Sequence, residues 1–237
     1  MIFQCISIPF FIKIWQNNFM TLEKTLIITL DDFIFNLYNI KDLIWDKIET
    51  TYQVEISDEF RMAYYDAHLE KKEKLGREYP KIASHFAEVE TEFNRMIDEM
   101  KIEVNQEHLN YLLEWNKIYR IIYCTNLKVE RMRDLLEMLH FPLPVDHLIS
   151  TKQVLNAKPE GDVYLKVARL LNIKANLLTV IDSTLNGIQA ASLPNTKGLF
   201  LAQFTEANTT IKKFAYAHFK QSHELHHYVL NLTNQSE

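Results

Sequence analysis

Hydrophobic and polar positions along this chain follow two regimes. The first is a set of short apolar runs: Leu26-Ile27-Ile28, Ile121-Ile122-Tyr123-Cys124, Leu148-Ile149, Leu177-Leu178-Thr179-Val180-Ile181 and Leu199-Phe200-Leu201. Runs this short, rich in aliphatic residues and closed by polar ones, predict strands buried on both faces. The second regime is helical. After Asn36 the apolar positions Leu37, Ile40, Ile44 and Ile48 recur at helical spacing, with Leu43 placed on the same face. Ser57-Asp58-Glu59 starts a helix expected over Phe60 to Gly76, and Tyr79-Pro80 breaks it. From Ile82, the positions Phe86, Val89, Phe93, Ile97 and Met100 form one stripe, and Asn105 is placed to cap a helix carrying Leu109, Leu112 and Leu113. No strand pattern interrupts residues 37–104, which are expected to form a helical bundle inserted into the chain.

From Tyr119 onward, strands alternate with helices. The helices are carried by Val129, Met132, Leu135, Leu136 and Leu139, and by Val163, Val167, Leu170 and Leu171, with Pro159 expected in the first turn of the latter. Such alternation implies a parallel sheet with right-handed crossovers, an α/β core of Rossmann type. The expected division is an N-terminal extension over 1–19, an α/β core over 20–36 and 105–237, and an all-helical unit over 37–104. In a parallel sheet the polar strand ends Thr29, Asp31, Thr125 and Asp182, together with Lys158, gather at one edge, where open α/β sheets build their sites.

Composition narrows the function classes. The chain has 237 residues with a formal net charge of -5, and no basic patch stands out, which disfavours a nucleic-acid partner. Cys5 and Cys124 match no metal or redox spacing and are expected as free thiols of a reducing, cytoplasmic compartment. The apolar start, Ile2 to Ile12, is interrupted by Pro9, lacks a basic flank and is too short to span a bilayer, so no membrane role is expected and Met20 is taken to open the folded part.

Four segments in order carry the chemistry. Thr29-Leu30-Asp31-Asp32 with Asn36 ends the first strand, Thr125-Asn126 ends the second, Lys158-Pro159 precedes a helix, and Asp182-Ser183-Thr184-Leu185-Asn186-Gly187-Ile188-Gln189-Ala190-Ala191 ends a later strand. This order resembles the haloacid dehalogenase-like hydrolase superfamily. The subclass it resembles carries a helical cap after the first motif, as in the β-phosphoglucomutase-like and phosphoglycolate phosphatase-like members. The resemblance covers roughly residues 22–230. It implies a phosphoryl-transfer enzyme with a nucleophilic aspartate, a second acid, a Thr and a Lys on the phosphate, and a magnesium ion held by carboxylates.

The departures bear on activity. Anchoring the first motif on Asn36 puts Thr29 at the nucleophile position, Asp31 at the second acid and Asp32 where glycine is usual. Anchoring the last motif on Gly187 puts Asp182 at the first acid and Ser183 at the second. By the resemblance, Asp31, Asp182 and Ser183 fall at metal positions, and Thr125, Asn126 and Lys158 at phosphate positions. A neutral Thr29 is a poor nucleophile and a poor ligand for Mg²⁺, which prefers charged oxygens in octahedral array, so the metal site is expected weak or lost. A shifted register that makes Asp31 the nucleophile puts Phe33 at the acid position, and one that makes Asp182 the second acid needs an extra residue before Gly187. The leading expectation is a catalytically impaired member that retains binding of a phosphate-bearing small molecule. The alternatives are an active or slow Mg²⁺-dependent phosphatase, and a structural or partner-binding protein.

Two other patterns were weighed. His223-Glu224-Leu225-His226-His227 satisfies the H-E-x-x-H spacing of zinc proteases. The chain ends ten positions later, without room for the usual third ligand, so a surface helix is expected. Cys124 lies in an apolar strand and is expected as a packed thiol.

Overall fold

The computed structural model describes residues 24–65, 67, 69–99, 101–145 and 147–232. The expectations for 1–19, Cys5, Met20 and Met100 lie outside the described residues. Six parallel strands form one sheet in the order β3-β2-β1-β4-β5-β6. They are β1 (Thr25–Thr29), β2 (Arg120–Thr125), β3 (Leu148–Ser150), β4 (Leu178–Asp182), β5 (Lys197–Leu201) and β6 (Ala217–Phe219). Every residue of β1 and β4 is buried, as the continuous apolar runs require. Alternation sends Leu26 and Ile28 to one face and Ile27 to the other. The first face packs on Tyr123, Ile181, Leu225 and Val229, the second on Val163, Val167, Ala190 and Ala191. The sequence pattern missed β6, an edge strand of three residues, none of them buried.

The helices are α1 (Leu30–Phe33), α2 (Leu37–Tyr52), α3 (Asp58–Tyr65), α4 (Leu69–Glu78), α5 (Pro80–Ala83), α6 (Phe86–Asp98), α7 (Gln106–Trp115), α8 (Val129–Met138), α9 (Asp162–Leu171), α10 (Leu185–Ser192), α11 (Thr209–Phe214) and α12 (Ser222–Asn231). Helices α2 to α6 make up the insertion. Its core is aromatic: Trp45 meets Phe60, Tyr64 and Phe86 edge-on. The buried Arg61 guanidinium joins α3 to Asp42 and Asp46 on α2 at 2.7 and 2.6 Å. The two connections to the sheet are tied to each other, since Asn105 N–H donates to the Ile34 carbonyl at 2.9 Å. Asn105 also caps α7 by accepting from His108 N–H.

Three helical expectations are corrected. The helix expected over Phe60 to Gly76 is two helices, α3 and α4. Buried positions in α3 continue a stripe, whereas α4 is mostly charged and buries Leu75 alone, so no single apolar face runs through both. Leu43 and Leu170 are exposed, lying off the stripes that pack. Helix α9 starts at Asp162, so Pro159 precedes it in the loop that delivers Lys158.

Candidate functional site

β1 is the sheet's central organiser, flanked by β2 and β4, and the order of connections reverses between β1 and β4. Crevices form beyond the carboxyl ends of strands at such a reversal. There, Thr29 at the end of β1, Asp182 at the end of β4 and Lys158 form a closed, buried node. Thr29 Oγ1 donates to Asp182 Oδ2 at 2.7 Å, and Lys158 Nζ donates to the same oxygen at 2.7 Å and to Thr29 Oγ1 at 3.2 Å. The other carboxylate oxygen, Asp182 Oδ1, accepts from Thr184 N–H at 2.9 Å and from the Thr184 hydroxyl at 2.7 Å. Burial opposes both charges of the ion pair. Asp182 nonetheless holds Lys158 well above the usual lysine value, and Lys158 with the threonine hydroxyls holds Asp182 below the usual carboxylate value.

Asp31 sits two residues beyond β1, in α1. Its Oδ1 accepts from Asn126 N–H at 3.0 Å, while Oδ2 is buried with no hydrogen-bond partner among the described residues. Burial raises its pKa, against the Thr125 hydroxyl, the Asn126 N–H and the Lys158 charge. Thr125 is fully buried and accepts from Leu127 N–H, which shapes the turn after β2. The structure therefore brings Thr29, Asp31, Thr125, Asn126, Lys158 and Asp182 to one sheet edge in two hydrogen-bonded groups. Ser183 follows Asp182 at the same edge but joins neither group, since its hydroxyl donates to Gln203 Oε1 at 2.6 Å. Asp32 faces the insertion and takes the Tyr65 hydroxyl and, at 3.3 Å, Tyr38 N–H.

A cavity of about 410 Å³ lies between this edge and the helical insertion. Asp31, Asn126 and Lys158 line its floor; neither Thr29 nor Asp182 reaches it. Its other charged walls are Lys41, Lys72 and Glu90 from the insertion, and Lys128, Arg131 and Lys152 from the core, so six cations face two carboxylates. These walls escaped the sequence reading, because helical periodicity does not say which polar side chains turn toward a site. One signal was present. Lys41 falls in register with Leu37, Ile44 and Ile48, a lysine on an apolar stripe, and its side chain is buried against the Phe93 ring at 4.6 Å.

The magnesium ion that the resemblance implies does not fit the donors present. Both Asp182 oxygens are taken by protein donors, Thr29 directs its proton at Asp182, and Ser183 turns to Gln203. That leaves Asp31 Oδ2 as the unengaged carboxylate oxygen of the set, and a hard dication needs several charged oxygens. Among the described residues no cluster of three His, Cys, Asp or Glu side chains is arranged to hold a metal. Within the H-E-x-x-H pattern, Glu224 accepts from Lys220 and Gln221 N–H and so caps the start of α12. Cys124 is buried, and burial pushes its thiol up to about 11, out of nucleophilic range at neutral pH. No helix among the described residues is long and apolar enough to cross a membrane.

No protein-family model matches the chain, and no curated protein matches it by sequence. Solved structures do match. A conserved haloacid dehalogenase-like protein of unknown function from Agrobacterium tumefaciens superimposes with a TM-score of 0.71 at 17% identity, over 89% of this chain and 99% of that one. A putative β-phosphoglucomutase from Bacteroides vulgatus gives 0.71 at 16% identity, over 89% of each chain. A HAD family hydrolase from Deinococcus radiodurans, solved with bound phosphate and sodium, gives 0.68 at 17% identity, over 90% of this chain and 96% of that one. The chain has the fold of the haloacid dehalogenase-like hydrolases, with its helical insertion between the first and second strands.

Proposed function

We propose that this chain binds a small phosphate-bearing molecule in the cavity above Asp31, Asn126 and Lys158, and is impaired in magnesium-dependent phosphoryl transfer. The observation that carries binding is the cavity's charge: six cations against two carboxylates among its lining residues. Impairment is supported by Thr29. It stands at the nucleophile position, is neutral, and its hydroxyl is committed to Asp182 behind the cavity floor. Burial shifts Asp31 toward its neutral form, which lessens the cost of placing a phosphate beside it.

A slow phosphatase is favoured by one observation: Asp31 lines the cavity and carries a buried oxygen, Oδ2, without a hydrogen-bond partner among the described residues. Burial works against it, because retaining the proton weakens Asp31 as a nucleophile. The expected result is no Mg²⁺-stimulated hydrolysis of an aryl phosphate, together with a rise in melting temperature with millimolar sugar phosphates. Ligand at a hundred times its dissociation constant adds about 2.7 kcal/mol. Turnover that survives Thr29→Val and is lost in Asp31→Asn would establish the phosphatase reading instead. No thermal shift with any compound in a broad phosphate-ester panel would remove the binding reading.

Binding is also expected to weaken as pH rises through about 8. Burial brings Lys41 down to about 8, so above that pH it loses the charge that attracts an anion. Glu90, Lys72 and Lys152 are the charged groups that act on it, Tyr64 beside it stays neutral because burial raises its pKa, and a phosphate ester is already fully ionised there. Titrations at pH 7 and pH 9 check this, and equal affinity at both would exclude Lys41 from the anion contact.

A further inference from the structure

The insertion side of the cavity carries more positive charge than one phosphate on the floor can use. Glu90 Oε1 receives Lys72 Nζ at 2.6 Å, Lys41 Nζ at 3.5 Å and the Tyr64 hydroxyl at 2.9 Å. The two ammonium groups share a single carboxylate oxygen, which keeps them at most about 6 Å apart. Both are fixed by rings as well, Lys72 over Tyr64 at 4.4 Å and Lys41 over Phe93 at 4.6 Å. Lys152 closes the group from the core. It lines the same cavity from the 3₁₀ turn Thr151–Gln153, where desolvation of its ammonium group and the Lys72 charge lower its pKa against Glu90 and Asp31. Of the other cations, Arg131 pairs with Asp98 at 2.6 Å and Lys158 with Asp182 at 2.7 Å, while Lys128 lines the core side of the cavity. Glu90 alone therefore offsets Lys41 and Lys72, and Lys152 makes no ion pair among the described residues.

Clustered like charges in a partly buried wall cost free energy that a bound anion relieves. We infer that Lys41, Lys72 and Lys152 form a second anion subsite, so that the ligand is a small phosphate ester bearing a second, separate anionic group. This rests on the phosphate reading above and adds the ligand class. The cavity volume limits that ligand to about the size of a phosphorylated sugar or short acid.

The test is calorimetric titration of the full chain with two matched pairs at pH 7: fructose 6-phosphate against fructose 1,6-bisphosphate, and glycerol 3-phosphate against 3-phosphoglycerate. Each second member is expected to bind at least about tenfold more tightly at low salt, with the ratio shrinking as salt screens the exposed part of the site. Lys152 is exposed in a short 3₁₀ turn, so Lys152→Ala should fold, and it should cut that ratio to about threefold or less while Lys152→Arg keeps it. Ratios near one in the wild-type chain would overturn the second subsite and leave the phosphate reading standing. Ratios that stay high in both Lys152→Ala and Lys72→Ala would also overturn it, by placing the second anion elsewhere. Failure of all four compounds and of inorganic phosphate to bind would end both readings together.

Discussion

Replacing Lys158 by methionine is expected to destabilise the protein by about 3–5 kcal/mol, the usual cost of removing one partner of a buried ion pair. Lys158 and Asp182 are both almost wholly inaccessible, at 4% and 2% exposure, and Asp182 does not line the cavity that Lys158 reaches. The methionine fills the volume of the lysine stem but leaves Asp182 with a charge in an apolar setting. Three donors remain on that carboxylate, the Thr29 and Thr184 hydroxyls and Thr184 N–H, which places the cost toward the lower end of the range. Adding Asp182→Asn should recover part of the loss, because the neutral amide keeps an acceptor and carries no charge. Denaturant melts of the two single variants and the double variant give the coupling as a double-mutant cycle. Additive losses would mean the pair is not the source of the cost.

The same pair sets the sign of the pH dependence. In the wild-type chain the folded pKa of Asp182 is depressed, so its stabilisation is present above the ordinary carboxylate value and is lost as pH falls through the depressed one. The folded pKa of Lys158 is raised, so its contribution is present below the ordinary lysine value and is lost as pH climbs through the raised one. In Lys158→Met the Asp182 slope should reverse. Burial, the largest of the influences on Asp182, then outweighs the three remaining donors and raises the carboxyl pKa, the folded state holds its proton longer than the unfolded state, and stability falls as pH rises above the ordinary carboxylate value. Melting curves between pH 4 and pH 7 would show this as a stability that falls with pH in Lys158→Met, where the Asp182 contribution in the wild-type chain stays level.

How much of this was legible in the sequence depends on whether a residue's role is written locally. The strands β1, β2 and β4 were legible because runs such as Leu26-Ile27-Ile28 satisfy burial on both faces with no reference to the rest of the chain. The Asn105 cap was legible because a side chain that accepts from the N–H three residues on is a local arrangement. The sheet edge collected Thr29, Lys158 and Asp182 because parallel topology aligns strand ends. What topology leaves open is which hydrogen bonds those residues make once they meet. Lys158, expected on a phosphate, lines the cavity and also pairs with Asp182; Ser183, which the resemblance puts at a metal position, bonds Gln203. Both outcomes depend on side chains 24 and 20 positions away. The cationic wall of the cavity was hidden for a related reason. Lys72 lies on a helix with one buried residue, Leu75, so no apolar stripe fixes its orientation, and its direction is set by Glu90 and Tyr64 on neighbouring helices.

Gly187→Ala is expected to cost about 2–4 kcal/mol, although alanine is the better helix former by about 1 kcal/mol. Gly187 lies in the first turn of α10, where its N–H donates to the Thr184 hydroxyl. The reason for glycine is space: a Cβ there would stand 2.1 Å from Asp182 Cγ and 2.2 Å from each carboxylate oxygen. Asp182 cannot withdraw cheaply, since one oxygen is held by Thr29 and Lys158 and the other by Thr184. The added methyl must therefore break the node or push α10 off β4. Gly76, in α4, is the internal control. A Cβ at that position meets Ala83 at 3.5 Å and Phe86 at 3.7 Å, which is ordinary contact, so Gly76→Ala should stabilise by about 0.5–1 kcal/mol. The two substitutions share their chemistry and differ in what the new carbon meets, so opposite signs in thermal or denaturant melts isolate the packing effect. If the clash is with the Asp182 side chain, Gly187→Ala should cost far less in an Asp182→Ala background, where that side chain no longer fills the space. An equal cost in both backgrounds would place the obstruction in the backbone of β4, and the tight seat of Asp182 would not be what requires glycine.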